Sequence, residues 1–446
     1  MAGAPNSPRF ESDKEDGEES KTRKLVFDGI DAAAKCDGVD VDKRMLEGRK
    51  ANRGFTIAAG TAVDPDFSDL RNSKRAQTLP ADCSRRGDFN MSDDSKKQLE
   101  EMQQHLLSRY RHGSVSLAFD VIPQDVLDET FKTKVVGHSH GLITEGQQHG
   151  DERERVSWGN IPLDPPPLIA CQKGCKGFKD TSPNQDNFSV THFKSGYTLI
   201  CTFDGHGPFG HIVSTRTVQT VPWFMVVESG FDKDTIDESI IEKALINAFE
   251  KAQKDVVAHS LENDWDVQAV AALFKGNKVW TANAGDSRCA IGTEADKKVV
   301  FETEDHKPQS DKEKARIEAS GGEVRSQTYP DGWVNHRIFI KGKDYPGLCM
   351  ARTLGDQSVK DYGVIATPEV LLTTVDLSKK AFFIIASDGV WEFLDSQFVV
   401  KAVAKKIQSD GPAKTLEKLQ REAKKRWKAE EGDYCDDITS VLVQLR

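Results

Sequence analysis

The chain has 446 residues, 37% of them hydrophobic and 30% charged, with a formal net charge of -10. That length buries one large core or two moderate ones, and a mean hydropathy of -0.55 assigns part of the chain to solvent. The acidic balance excludes general affinity for nucleic acid or an anionic membrane surface, which need a concentrated positive field, and no apolar run reaches the ~20 residues of a membrane helix.

Residues 1–20 are rich in Glu, Asp, Lys and Ser and have almost nothing to bury, so they read as disordered. Met1-Ala-Gly-Ala-Pro5 lacks a hydrophobic signal region, and Ala2 stands where N-myristoylation needs glycine, so the expected location is the cytoplasm, with the nucleus as a further compartment. After Ser92-Asp-Asp-Ser95, a cap sequence, Lys96–Tyr110 carries Leu99, Met102, Leu106 and Tyr110 on one helical face, an apolar stripe expected to dock on the catalytic part and modulate access to it. A weaker helical pattern covers Gln124 to Lys134. The run Trp158-Gly-Asn-Ile-Pro-Leu-Asp-Pro-Pro-Pro167 sets the expected boundary between an N-terminal extension, residues 1–164, and a catalytic domain, residues 165–446.

Leu168–Cys171 begins the first expected strand of that domain, and the loop from Lys173 to Asn184 delivers Gln185-Asp186. Tyr197–Phe203 is an apolar run of strand length that stops at Asp204-Gly-His-Gly207, where small residues let the backbone turn. Two helical patterns follow, His211–Val227 interrupted by Pro222, and Ile236–Val257 with Ile241, Ala244, Leu245, Ala248, Phe249, Ala252 and Val256 in one stripe. Trp265–Phe274 and Lys278–Ala284 are strand patterns, the second running into Gly285-Asp286. Residues 301–356 read as a loop-rich, flap-like insert around a short helix, Asp311–Ser320. Ala381–Ser387 runs into Asp388-Gly389, helices follow after Trp391 and from about Ala413 to Lys428, and Asp436-Asp437 opens a closing strand, Ile438–Leu445. Strands and helices are interspersed without strict alternation, which predicts an α+β fold: an antiparallel β-sandwich flanked by helices on both faces, in four layers.

Four acidic positions therefore stand at strand edges: Asp204, Asp286, Asp388 and Asp436. One Asp-Gly dipeptide is more often a hairpin turn than a ligand, but four at the edges of apolar runs tilt the balance. Converging carboxylates repel unless a cation neutralises them, and oxygen-only ligands select hard ions such as Mg²⁺ or Mn²⁺. Cys171 and Cys175 lack the further pair that a zinc site needs, and the scattered cysteines read as buried thiols without disulfides.

Asp204-Gly-His-Gly, Gly285-Asp-Ser-Arg288, Asp305-His-Lys-Pro308, Ser320-Gly-Gly-Glu-Val324, Arg352-Thr-Leu-Gly-Asp356, Ser387-Asp-Gly-Val-Trp391 and Asp436-Asp-Ile-Thr439 occur in this order. Together they resemble the metal-dependent protein serine/threonine phosphatases of the 2C type, over roughly residues 165–446. The resemblance implies hydrolysis of phosphoserine and phosphothreonine on proteins by direct attack of a water bridging two Mg²⁺ or Mn²⁺ ions. It implies that Asp204 bridges both ions, that the Gly205 carbonyl adds an oxygen, that Asp388 and Asp436 complete the second ion, and that Asp186 is a ligand directly or through water. Asp286 would hold a third ion, and His206 would be the general acid. His306 is assigned to structure, Arg288 and Arg352 to ion pairs, and Asp356 and Asp437 to orienting waters.

The sequence departs from the family pattern in two places. Gln185 stands where the family often has Glu, with Lys176 or Lys179 in place of an arginine for the phosphate, and Trp265–Gln268 replaces a run of small hydroxyl residues. These departures motivate the alternative of a pseudophosphatase that binds metal or phosphoproteins without turnover. Phosphorylated proteins are the expected partners, with no nucleic acid and no membrane span, and the chain is expected to be monomeric.

Overall fold

The computed structural model describes Asp94, Lys97, Gln98 and residues 121–446, apart from 145, 178–179, 208, 260–265 and 329–333. The disorder expected over residues 1–20, the docking of the Lys96–Tyr110 stripe, Trp265 and the Lys179 alternative lie outside these residues.

In chain order, α1 is Gln124–Thr133, β1 Gly137–Gly141, β2 Arg155–Gly159, β3 Leu168–Gln172, β4 Asp186–His192 and β5 Thr198–His206. Helices α2 (Gly210–Ser229) and α3 (Ile241–His259) precede β6 (Asp266–Lys275), β7 (Lys278–Ala284), β8 (Arg288–Thr293) and β9 (Val299–Glu302). Then come α4 (Asp311–Ala319), β10 (Gly322–Thr328), β11 (Val334–Ile340), β12 (Pro346–Leu348), β13 (Leu354–Gly355), α5 (Gln357–Lys360), β14 (Glu369–Thr374) and β15 (Ala381–Ala386). The chain closes with α6 (Asp388–Trp391), α7 (Ser396–Asp410), α8 (Pro412–Glu431) and β16 (Ile438–Gln444).

One sheet has the strand order β14-β7-β6-β5-β4-β1-β2, with β13 also on β6, and a second has the order β3-β16-β15-β8-β9; their paired strands are antiparallel. Phe188, Val190, Ile200, Val270, Phe383, Ile385 and Val441 fill the space between them. On the outer side of the first sheet Leu199, Cys201 and Phe203 meet Val218, Phe224, Leu245 and Phe249 of α2 and α3. On the outer side of the second, Phe382 and Ile384 meet Val399, Val403, Leu419 and Trp427 of α7 and α8. These three cores make the expected four layers. They also explain why β5 reads as an unbroken apolar run: every residue of it is buried, with a packed layer on each face. Pro222 does not break α2, because Val221, Phe224 and Met225 around it are fully packed, offsetting the ~3 kcal/mol that a helical proline costs.

Three expectations are corrected here. The run expected to be a linker contains the end of β2, and β2 pairs with β1, which pairs with β4. Ile122 is pinned as well: its N–H donates to Asp255 Oδ1 at 3.2 Å and its carbonyl accepts from Arg216 at 2.7 Å. Residues 122–159 are thus part of the folded body, and the boundary expected at 164/165 falls behind two of its strands. The residues 301–356, expected to be loop-rich, build β10, β11 and β12 into a separate three-stranded sheet with its own core of Ile317, Ile338, Met350, Val359 and Val364. β10, Gly322-Glu-Val-Arg-Ser-Gln-Thr328, is mostly polar and only partly buried, so composition alone reads it as loop. Cys171, Cys175, Cys201, Cys289 and Cys435 are free thiols, whereas Cys349 is disulfide-bonded, against expectation, because pairing depends on which segments meet in space. Among the described residues no helix is long and apolar enough to cross a membrane.

Candidate active site

The strand register brings the first two carboxylates together. Asp186 opens β4 and faces Asp204 directly across the ladder with β5, a like-charge pair that costs stability if nothing compensates it. Asp286 follows the end of β7, where Gly285 takes φ 136° to turn the chain and the Asp286 N–H donates to Gln268 Oε1 at 3.0 Å. Asp388 begins α6 with Ser387 between it and the end of β15, and Asp436 stands two residues before β16. Five acidic side chains from both sheets thus meet at one edge of the sandwich.

Oxygens of Asp204, Asp286 and Asp388 all lie within 4.8 Å of one another. The three residues are buried, as are Asp186 and Asp436. Burial, and then the neighbouring Asp388 charge, push the Asp204 carboxyl well above the usual carboxylate range. Burial and then Asp436 do the same to Asp388, and burial with Asp437 pushes Asp186 up to about 7.

Close packing fixes the backbone that carries these groups. Gly205 lies between Asp204 and His206 in β5, and a Cβ there would come within 2.3 Å of the Gly210 carbonyl oxygen, so only glycine fits. Gly389 is pressed as tightly on the Asp437 carbonyl, 2.1 Å from where its Cβ would stand, and its own carbonyl accepts from Trp427 Nε1 at 2.8 Å. Ser387 Oγ donates to Asp186 Oδ2 at 2.6 Å and accepts from the Thr439 N–H at 3.1 Å, tying β4 to the second sheet.

Cations line the rim. Lys307 Nζ donates to Asp286 Oδ2. Lys176 Nζ lies 2.9 Å from Asp436 Oδ1 and donates to Gln185 Oε1 at 2.8 Å. Behind the site the buried Arg153 donates to the carbonyls of Asn184 and Asp186 and to Thr215 Oγ1.

Whether the pocket fits a metal ion is decided by the oxygens left over. Asp204 Oδ2 and Asp286 Oδ1 are buried and accept no hydrogen bond. Buried acceptors almost always have a donor, and these two oxygens belong to a group of three carboxylates, so an all-oxygen set with two oxygens left without a donor fits a hard divalent cation.

His206 ends β5, its Nε2 3.8 Å from Asp356 Oδ2. Asp356 holds φ 44°, ψ 46°, a left-handed conformation that carboxylate and amide side chains tolerate better than most. Asp437 is saturated within the protein, accepting from the Gly174 N–H at 2.7 Å and the Gln185 N–H at 2.8 Å. Arg288 pairs with Asp305 and Arg352 with Glu313, each through two guanidinium nitrogens, as expected of ion-pair arginines.

The family model described as protein phosphatase 2C matches residues 170–431. The chain belongs to the protein phosphatase 2C family. Probable protein phosphatase 2C 64 of Oryza sativa subsp. japonica is 33% identical over 285 residues, 61% of this chain; the chain spans 65% of that protein's length. Probable protein phosphatase 2C 72 of Arabidopsis thaliana is 31% identical over 323 residues, covering 69% of this chain and 96% of the relative. The crystal structure of serine-threonine phosphatase 2C from Toxoplasma gondii shares the fold with a TM-score of 0.51 and 20% identity, over 69% of this chain and 99% of that one. The family is one of metal-dependent protein serine/threonine phosphatases, in keeping with the aspartate cluster.

Both departures from the family pattern are built into the site. The Gln185 amide accepts from Lys176 and donates to the Gly207 carbonyl, a donation that a carboxylate could not make. Gln268 holds the Asp286 turn. Lys307 lies in Asp305-His-Lys-Pro308, yet nothing in that spacing aims it at Asp286. Arg153 carries no local signal at all; only the pairing of β1 and β2 into the sheet brings it behind Asp186.

Proposed function

We propose that this chain hydrolyses phosphoserine and phosphothreonine on proteins with two hard divalent ions, Mg²⁺ or Mn²⁺, held by Asp186, Asp204, Asp388 and Asp436, the Gly205 carbonyl and, for a third ion, Asp286. The observation that carries the reading is the group of three buried carboxylates within 4.8 Å, two of whose oxygens have no donor. When bound, the ions supply the positive charge that activates water and neutralises phosphoryl oxygens.

The chain's own residues do the rest. Backbone pairing of β4 and β5 sets Asp186 opposite Asp204 before any ion binds, which lowers the ordering cost of binding. Lys307 and Lys176 hold Asp286 and Asp436 at the rim, and Lys176 supports a second role, as the point charge that orients an incoming phosphate. His206 stands two residues from Asp204, where it would donate a proton to the departing serine or threonine oxygen. Asp356 is placed to balance the imidazolium that this donation requires.

The pseudophosphatase alternative gains no support from Gln185 or Gln268, since both amides brace the site. Phosphate release from a phosphothreonine peptide, with Mn²⁺ and with a chelator, tests the proposal. Mn²⁺-dependent release is the expected result; Mn²⁺ binding without release would leave the non-catalytic reading in its place. Phosphorylated proteins as partners, a monomeric state and a cytoplasmic or nuclear location are proposed on the same footing.

A further inference from the structure

We infer that Cys175 and Cys435 are a modification site: a thiol pair that oxidises reversibly to a disulfide at the rim of the metal centre and weakens metal binding there. The two residues form an isolated antiparallel bridge, the Cys175 N–H donating to the Cys435 carbonyl at 2.7 Å and the Cys435 N–H returning to the Cys175 carbonyl at 2.9 Å. Residues that exchange both bonds have Cα atoms about 5.5 Å apart and side chains on the same side of the ladder, with Cβ atoms about 4.5–5.5 Å apart. A disulfide needs Cα atoms about 4.4–6.8 Å apart and Cβ atoms about 3.5–4.5 Å apart. The backbone spacing is already suitable; the Cβ atoms, at the wide end of their range in a hydrogen-bonded pair, must draw together by roughly 1–2 Å, and the two sulfurs must turn away from the Gly177 and Asp436 carbonyls, 3.9 and 3.4 Å off. A bond formed under that strain is readily reduced again.

Both thiols are free, and their exposure differs in a useful way. Cys175 is half-buried and meets an oxidant first, whereas Cys435 is 6% exposed beneath it. With a hydroperoxide as oxidant, the Cys175 sulfur takes one oxygen as the O–O bond breaks, giving a sulfenic acid and an alcohol or water. The Cys435 sulfur then attacks the Cys175 sulfur, the S–S bond forms, and the sulfenic oxygen leaves as water with the Cys435 proton. Cys171, by contrast, faces Thr439 across the β3–β16 ladder and has no cysteine opposite it there.

The next residues in the two segments are Lys176 and Asp436, paired at 2.9 Å. The loop also lies hard on the strand entry, because a Cβ at Gly174 would stand 2.2 Å from the Asp436 carbonyl oxygen. Drawing Cys175 and Cys435 together therefore moves Asp436 and its lysine partner as one.

The metal arm of the test rests on the proposed function; the disulfide arm does not. The full chain is treated with hydrogen peroxide, alkylated and peptide-mapped, and its Mn²⁺ affinity is measured by calorimetry before and after. The expected result is a Cys175–Cys435 linked peptide that dithiothreitol removes, with Mn²⁺ affinity about tenfold weaker while the link is present, the scale seen when groups supporting metal ligands are disturbed. Cys175→Ser and Cys435→Ala should each bind Mn²⁺ as the unmodified chain does and keep that affinity after peroxide. Separate alkylation of the two residues after peroxide, or a peroxide-induced link of either one to a different cysteine, would overturn the inference, as would a linked form with unchanged affinity. A chain that binds no Mn²⁺ before oxidation would refute the metal reading instead, and the linked peptide would still decide the disulfide.

Discussion

Asp186 and Asp204 stand directly opposite each other across the β4–β5 ladder, both buried. Two like charges in that relation cost stability, and a cation bound between them would return it.

The first prediction follows from Asp186, pushed up to about 7 by burial and Asp437 in the metal-free protein. Its folded value lies above its unfolded one, so the stability it contributes is present at low pH and is lost as pH rises from about 4 to about 7. Asp186→Asn removes that dependence, and the metal-free variant should gain on the unmodified chain across this window by a margin on the order of 4 kcal/mol. Melting of both proteins in chelator at several pH values checks it; a constant difference would refute the coupling.

Asp388→Asn should separate stability from activity. The substitution keeps the shape and removes a charge whose neighbours are Asp436 and Asp286, so Tm in chelator should rise. Turnover with Mn²⁺ should fall by about 10²-fold or more, the loss of several kcal/mol of charge stabilisation. Chelator melting and a phosphothreonine peptide assay read the two effects.

For His206 the leaving group is the discriminator. His206→Gln should lower kcat on a phosphothreonine peptide by about 10²–10⁴-fold, because an alkoxide needs a proton, yet have little effect on p-nitrophenyl phosphate, whose leaving group departs without one. Asp356→Asn, acting through the 3.8 Å contact, should show the same selectivity at smaller amplitude. Equal losses on both substrates would remove His206 from the acid role.

Lys307 compensates Asp286 inside the protein. Lys307→Met should destabilise the metal-free chain by about 3–5 kcal/mol, the cost of leaving one member of a buried pair alone. Mn²⁺ should recover more stability in this variant than in the unmodified chain. Paired thermal melts with and without Mn²⁺ test this.

Truncation tests where the folded body begins. A chain starting at residue 121 keeps α1, β1, β2 and Arg153, whereas one starting at residue 165 loses the strand on β4 and the guanidinium on the Asp186 carbonyl. The shorter chain should melt at least about 5 °C lower, a loss of about 2 kcal/mol in a chain of this size. Equal melting temperatures would restore the linker reading.

Much of this was legible along the chain because each signal was local. Tyr197–Phe203 and Ala381–Ala386 read as buried strands from composition alone, and an aspartate after an apolar run needs no partner to be noticed. The stripe of α3 and the start of α8 were equally plain, since amphipathic period and breakers are properties of neighbouring residues. The insert failed this test: β10 is mostly polar and the core behind it is assembled from Ile317, Ile338 and Val364, far apart in sequence.

What the sequence alone determined was which residue types stand at the strand ends, and hence that hard-ion chemistry was available to this chain. The tertiary structure decided the rest: that Asp186 faces Asp204, that Lys307 reaches Asp286, that Asp356 lies by His206, and that Arg153 braces the site from a hairpin expected to belong to the N-terminal extension. Those are relations between residues 18 to 150 positions apart in the chain. Strand register and sheet stacking create them, and no local pattern of side chains encodes either one.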